Sequence, residues 1–180
     1  YPTALALGDF DRDGLTDVVL SGRNLDGVLA YLPGVPGGGF GEPSYLDFGR
    51  QSNWVVAEDF DGNGTLDLAV LERGFPGQVA LMRGNGDGSF QPRENTLVGR
   101  DPAQLEAGDF DGDGTIDLAV TNHQSDNVGL LRNLGDGTFE TDHVLPIAVG
   151  LGRIARPFSL ATGDLDGAGP PDLAVIHLSS

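Results

Sequence analysis

Apolar residues in this chain come in short bursts, each entered from a strongly polar loop. "DVVL" at Asp17–Leu20 and "DLAV" at Asp67–Val70, Asp117–Val120 and Asp172–Val175 all follow stretches of aspartate and glycine. Runs of this length, rich in β-branched residues and without helical period or capping pattern, predict strands. The third copy can be read whole. "PAQLEAGDF", Pro102–Phe110, alternates small or apolar with polar residues and predicts a first strand, and "IDLAVTN", Ile116–Asn122, predicts a second. "NVGLLRN", Asn127–Asn133, predicts a third, and the turn "LGDGTF" leads to a fourth, more polar strand near Glu140–Leu145. Val28–Leu32 and Val79–Met82 are the matching third strands, and Phe40 and Phe90 fall in the column of Phe139.

The pattern repeats along the whole chain. The aspartates that open the four polar loops are Asp9, Asp59, Asp109 and Asp164, spaced by 50, 50 and 55 residues. A fixed period of this size marks units that stack to bury their apolar faces. Four antiparallel strands per period make one β-propeller blade. The expectation is therefore an all-β chain forming a single propeller segment, with repeats at 1–49, 50–99, 100–152 and a partial one at 153–180. That is about three and a half blades, read as part of a larger propeller or as an arc that assembles; the opening Tyr1 supports a mature or partial segment. Exposed terminal blades favour association.

Composition narrows the partners. The chain has 180 residues, 39% of them hydrophobic, enough for a core. A formal charge of -17 speaks against nucleic acid and anionic membrane, because ten basic residues cannot serve a phosphate backbone. No apolar run is long enough to insert into a bilayer. The absence of cysteine removes disulfides and thiolate metal sites. Cations are the natural counterpart of such a surface.

The aspartates are placed to hold one. Counting from Asp109, carboxylates fall at positions 1, 3, 5 and 9 (Asp109, Asp111, Asp113, Asp117), glycine at 6 (Gly114) and a backbone carbonyl at 7 (Thr115). Alternating oxygens around a glycine turn form a cage for a hard cation, and six or seven oxygens suit calcium better than octahedral magnesium. The first copy offers Asp9, Asp11, Asp13, the carbonyl of Leu15, and Asp17; the second offers Asp59, Asp61, Asn63, the carbonyl of Thr65, and Asp67. The fourth keeps Asp164, Asp166 and Asp172 but has Ala168 at position 5 and Pro170–Pro171 before the last aspartate, so it is degenerate. Three calcium sites are expected, strongest in the first and third copies, weaker in the second, weakest in the fourth. Asn63 also begins the sequon "NGT", but its place in the cage favours ligation over a glycan.

An EF-hand opens similarly but requires glutamate at position 12. That column reads Leu20, Val70, Val120 and Val175, so a strand leaves the loop and no EF-hand is present. The column "DxDxDGxxD" followed by "DLAV", with "GNGDGSF" (Gly84–Phe90) and "NLGDGTF" (Asn133–Phe139), resembles the FG-GAP or VCBS-type repeats, which are similar to the propeller repeats of integrin α-subunits. The resemblance covers essentially the whole chain. It implies calcium loops between the first and second strands of each blade, and closed propellers that commonly have seven blades.

Catalysis finds little support. His123, His143 and His177 share no repeat column, and "HLSS" at the end has no nucleophile elbow. The expected function is a non-catalytic calcium-binding repeat module for adhesion, scaffolding or assembly, outside the cytosol: extracellular, cell-surface or periplasmic. Its expected partners are a protein or a second copy. The alternative is a calcium-dependent carbohydrate-binding or polysaccharide lyase propeller, with Trp54, Tyr31 and Tyr45 as aromatic platforms for a sugar. The loops "SGRNLDG", around Arg23, and "TNHQSDNVG", around His123, are candidate contact surfaces.

Overall fold

The computed structural model describes residues 2–22, 28–48, 52–146 and 156–177, with the side chains of 141–146 excepted. The Arg23 loop falls outside them. Every element among the described residues is a strand. The first blade comprises β1 (Pro2–Gly8), β2 (Asp17–Gly22), β3 (Val28–Leu32) and β4 (Ser44–Asp47). The second has β5 (Ser52–Glu58), β6 (Asp67–Glu72), β7 (Gln78–Met82) and β8 (Glu94–Leu97). The third has β9 (Pro102–Gly108), β10 (Asp117–Asn122), β11 (Asn127–Asn133) and β12 (Phe139–Pro146); β13 (Pro157–Gly163) and β14 (Asp172–His177) form a two-stranded sheet. In each sheet sequential strands are neighbours, the antiparallel meander of a propeller blade.

Register repeats with the sequence. Gly8 pairs with Asp17, Glu58 with Asp67, Gly108 with Asp117 and Gly163 with Asp172, so every polar loop closes on the same cross-strand pair. At the far end of the first strand each hairpin carries a register shift, at Pro2/Ala4, Ser52/Trp54, Thr121/Asn122 and Pro157/Ser159. A recurring bulge of this kind increases local twist and ends the pairing at a set point.

The chain forms two compact units, residues 1–72 with 79–95, and 73–78 with 96–180. In the first, Phe10, Val19, Leu29, Phe48, Leu68 and Val70 form the core. Phe10 meets Tyr31 and Phe90 edge-on, with centroids 6.3 and 5.8 Å apart. In the second, Ala119, Val128 and Leu160 pack with Phe110, Leu130, Leu173 and Val175. There the buried Gln104 staples β9 to β13: its Nε2 donates to the Leu160 carbonyl at 2.7 Å, and its Oε1 accepts from the Leu160 N–H at 3.1 Å. β6 and β10 are buried at every residue, whereas β14, opening with the same "DLAV", is half-buried or exposed throughout.

Candidate metal centre

Each loop solves the repulsion between its aspartates with backbone N–H groups. In the third, Asp109 Oδ1 accepts from Gly112 and Asp113 at 2.7 and 3.1 Å, and its Oδ2 accepts from Gly114 at 3.0 Å. Asp111 Oδ1 accepts from Asp113 at 3.1 Å, and Asp113 Oδ1 accepts from the Thr115 N–H at 2.9 Å. The first loop repeats the scheme, with Asp13 and Gly14 donating to Asp9 and Leu15 donating to Asp13. The second does so with Asn63 and Gly64 donating to Asp59, and with the Thr65 N–H and hydroxyl on Asn63 Oδ1. Such charge-assisted bonds fix the carboxylates from outside and leave their remaining lone pairs free to converge.

They do converge. One oxygen from each of Asp9, Asp11 and Asp13 lies within 4.8 Å of the others, and the same holds for Asp59, Asp61 and Asp67, for Asp109, Asp111 and Asp117, and for Asp164, Asp166 and Asp172. Oxygens on opposite sides of a calcium ion sit roughly 5 Å apart, twice the usual bond length, so the donor set fits. The fourth group assembles despite the missing side-chain ligand at Ala168, whose N–H bonds Asp166 at 2.9 Å as the position-5 N–H does in the other loops.

Two further features escape the spacing argument. The turn needs left-handed backbone at position 4 as well as position 6, with φ of 69° at Gly62, 77° at Gly112 and 82° at Gly167. Only the first loop places a side chain there: Arg12 has φ 60°, and its Nη2 donates to the Gly64 carbonyl of the second loop at 2.6 Å. Position 9, moreover, is structural whatever else it binds. Asp17, Asp67 and Asp117 are buried; their Oδ2 atoms accept from the N–H of Phe10, Phe60 and Phe110, and their Oδ1 atoms from the N–H of Gly34, Gly84 and Asn133 at 2.7 to 2.8 Å. One carboxylate thus ties the loop's entry to the end of the third strand. Burial raises the carboxyls of Asp67 and Asp117 above the usual carboxylate range, partly offset by these same N–H bonds. Asp113 shifts down, held first by the Thr115 hydroxyl and then by its N–H.

Basic side chains approach the cages unequally. Arg132 places Nε 2.5 Å from Asp111 Oδ2 and Nη2 3.1 Å from Asp113 Oδ2. Arg83 lies 3.5 Å from Asp61 but is held mainly by Glu94 at 2.7 Å. Among the described residues no cation touches Asp9, Asp11 or Asp13; instead the Tyr31 hydroxyl donates to Asp17 at 3.0 Å and reaches Asp11 at 3.4 Å. Tyr31 is therefore buried against the first cage and offers no face to a sugar. Tyr45 is exposed and Trp54 half-buried, on separate strands. His123 is half-buried in a turn whose backbone bonds Asp101, and His177 is exposed at the end of β14.

A family model for FG-GAP-like repeats matches the chain three times, over residues 9–70, 59–120 and 109–175. Each match starts at the first aspartate of one loop and ends in the strand behind the next. No curated protein matches the chain. Among solved structures, a chain in the Tc holotoxin pore of Photorhabdus luminescens is similar at a TM-score of 0.58 and 20% identity, over 94% of this chain and 8% of that one. At that identity the likeness speaks for the fold alone.

Proposed function

The chain belongs to the FG-GAP-like repeat family, and from that premise we propose that it is a non-catalytic, calcium-stabilised repeat module that mediates assembly with protein partners outside the cytosol. The observation that supports it most is the convergence of carboxylate oxygens to within 4.8 Å in all four loops, each fixed from outside by backbone N–H groups. Calcium would be held by Asp9, Asp11, Asp13, Asp17 and the Leu15 carbonyl; by Asp59, Asp61, Asn63, Asp67 and the Thr65 carbonyl; and by Asp109, Asp111, Asp113, Asp117 and the Thr115 carbonyl. Asp164, Asp166 and Asp172 would form a weaker fourth site. When bound, the ion supplies charge neutralisation: it removes the repulsion within each loop and locks the turn that sets the register of the first two strands. The assignment outside the cytosol follows from cages that suit calcium-rich surroundings. Calorimetric titration with calcium, followed by melting in calcium and in chelator, tests the reading. Saturable binding near three equivalents with a raised melting temperature is expected; no binding heat and an unchanged melt would sink it.

A further inference from the structure

Position 4 of the polar loop is glycine in the second, third and fourth copies, and the first departs from them with Arg12. Left-handed backbone, φ 60° here, disfavours any residue with a side chain, so this arginine is held against its own preference. What holds it is the next loop. Its Nη2 donates to the Gly64 carbonyl at 2.6 Å, and its stem runs over Gly86, where an added β-carbon would come within 3.2 Å of Nε and 3.3 Å of Cδ. The turn containing Gly86 is tied to both loops: the Gly84 N–H donates to Asp67 at 2.8 Å, and the Gly88 N–H donates to the Phe10 carbonyl at 3.0 Å.

The Gly64 carbonyl shares one planar peptide unit with the Thr65 N–H, so the two ends turn together. That N–H donates to Asn63 Oδ1 at 2.7 Å, while the Gly64 N–H donates to Asp59 Oδ2 at 2.8 Å. Arg12 thus fixes, from the first loop, the peptide that aims a ligand of the second. Asn63 is the one neutral side-chain ligand of the three full cages and offers a single oxygen where an aspartate has two, so its aim matters more. A donor on the carbonyl also polarises the N–H at the far end of the peptide and strengthens its bond to Asn63. Unlike Arg132, the Arg12 guanidinium touches no ligand carboxylate among the described residues, so it orders a cage without occupying the ion's place. The second unit has the same juxtaposition of loops without the arginine. A β-carbon on Gly112, its position 4, would lie 3.2 Å from Pro170 at position 7 of the loop opened by Asp164, but glycine has nothing to extend across.

We propose that Arg12 couples the two ion sites of the first unit. Its backbone lies between Asp11 and Asp13, so an ion in the first cage fixes the segment that bears it; Arg12 then holds the Gly64–Thr65 peptide, and the second cage binds more tightly when the first is filled. Linkage makes the effect mutual, since the second ion tightens the first site by the same factor. Because the bond is solvent-exposed, the factor should lie at the low end of such couplings, about fivefold. The coupling rests on the reading of both loops as calcium sites and adds regulation to it.

Amide shifts of Gly14 and Gly64, followed through a calcium titration of the full chain, report the two sites separately. Asp9→Asn removes a charge from the first cage alone, so that the second fills with the first empty, and should weaken the second site about fivefold. Arg12→Gly restores the residue of the other loops and relieves the left-handed strain. It should weaken the second site by a similar factor, and adding Asp9→Asn to it should then change that site no further. A second site that never fills, that ignores Asp9→Asn, that responds to Asp9→Asn equally with and without Arg12, or that tightens in Arg12→Gly as removal of a mere like charge would make it, overturns the proposal. The absence of any calcium-dependent shift at both glycines would instead sink the ion reading, and the coupling with it, so the two failures are told apart.

Discussion

Pro33, just after β3, and Arg132, in β11, occupy equivalent places, each directly before the residue whose N–H reaches the position-9 aspartate. Counting carboxylates makes the first and third cages equal, but a guanidinium within 3.1 Å of Asp111 and Asp113 separates them. An arriving ion must share those oxygens with a cation already there, so the third cage should bind calcium more weakly than the first. Arg132→Gln is expected to tighten it by about tenfold, since a divalent ion and a unit charge a few ångströms apart repel appreciably even in water. Amide shifts of Gly114 and Gly14 followed through one calcium titration measure both sites at once; an unchanged or weaker third site would mean that Arg132 positions the carboxylates and does not compete for them. A second basic residue matters for stability alone. Arg93 pairs with Glu72, which is 2% exposed, and stacks over the Phe48 ring at 5.1 Å. Taking away the cation leaves a buried carboxylate without its arginine, and Arg93→Ala should cost about 3 kcal/mol in urea unfolding, independent of calcium. A loss below about 1 kcal/mol would show that Glu72 is held by its other contacts.

At the level of the hairpin, position 9 is where ligation and architecture part. Asp117 accepts N–H bonds from Phe110 and Asn133 at 3.1 and 2.8 Å from a buried site, whereas Asp113 is exposed and, among the described residues, bonds only within its loop and with Arg132. Asp117→Ala should therefore destabilise the fold by about 3 kcal/mol even in chelator, because a buried donor and a part-buried one lose a charged acceptor. Asp113→Ala should lower melting in calcium and leave it nearly unchanged in chelator. Equal losses from both substitutions under both conditions would erase the distinction. The spacing of aspartates made all of these residues legible as one set, and "DLAV" made the strands legible: Val28–Leu32 and Asn127–Asn133 are found with the predicted bounds. β9 stops two residues before the expected Phe110, because Phe110 turns inward with its N–H on Asp117. What spacing cannot carry is any partner set by a distant strand. Asn133 and Arg132 come to the loop only when β11 pairs with β10, and the same four residues "DLAV" are buried or bare according to which strand lies beside them.

Across the whole chain the cages are divided between the two compact units, and not evenly. The first unit holds the loops opened by Asp9 and Asp59; the second holds the loop opened by Asp109, with Arg132 on it, and the degenerate loop opened by Asp164. In a repeat array stability is close to a sum of unit and interface terms, so an ion that binds one unit more tightly stabilises that unit more. A site at ~100 times its dissociation constant contributes about 2.7 kcal/mol, a large share of a small domain's margin. At limiting calcium the first unit should gain two such contributions while the second gains at most one, reduced by Arg132 and by Ala168. Calorimetric melting over a calcium series should then show the transition of the first unit rising earlier and further than that of the second. Asp13→Ala should lower the first unit's transition at saturating calcium and leave the second in place, and Arg132→Gln should raise the second alone. A single transition that moves identically for both variants would mean that the ions stabilise the chain as one cooperative body, with the division into units having no thermodynamic counterpart.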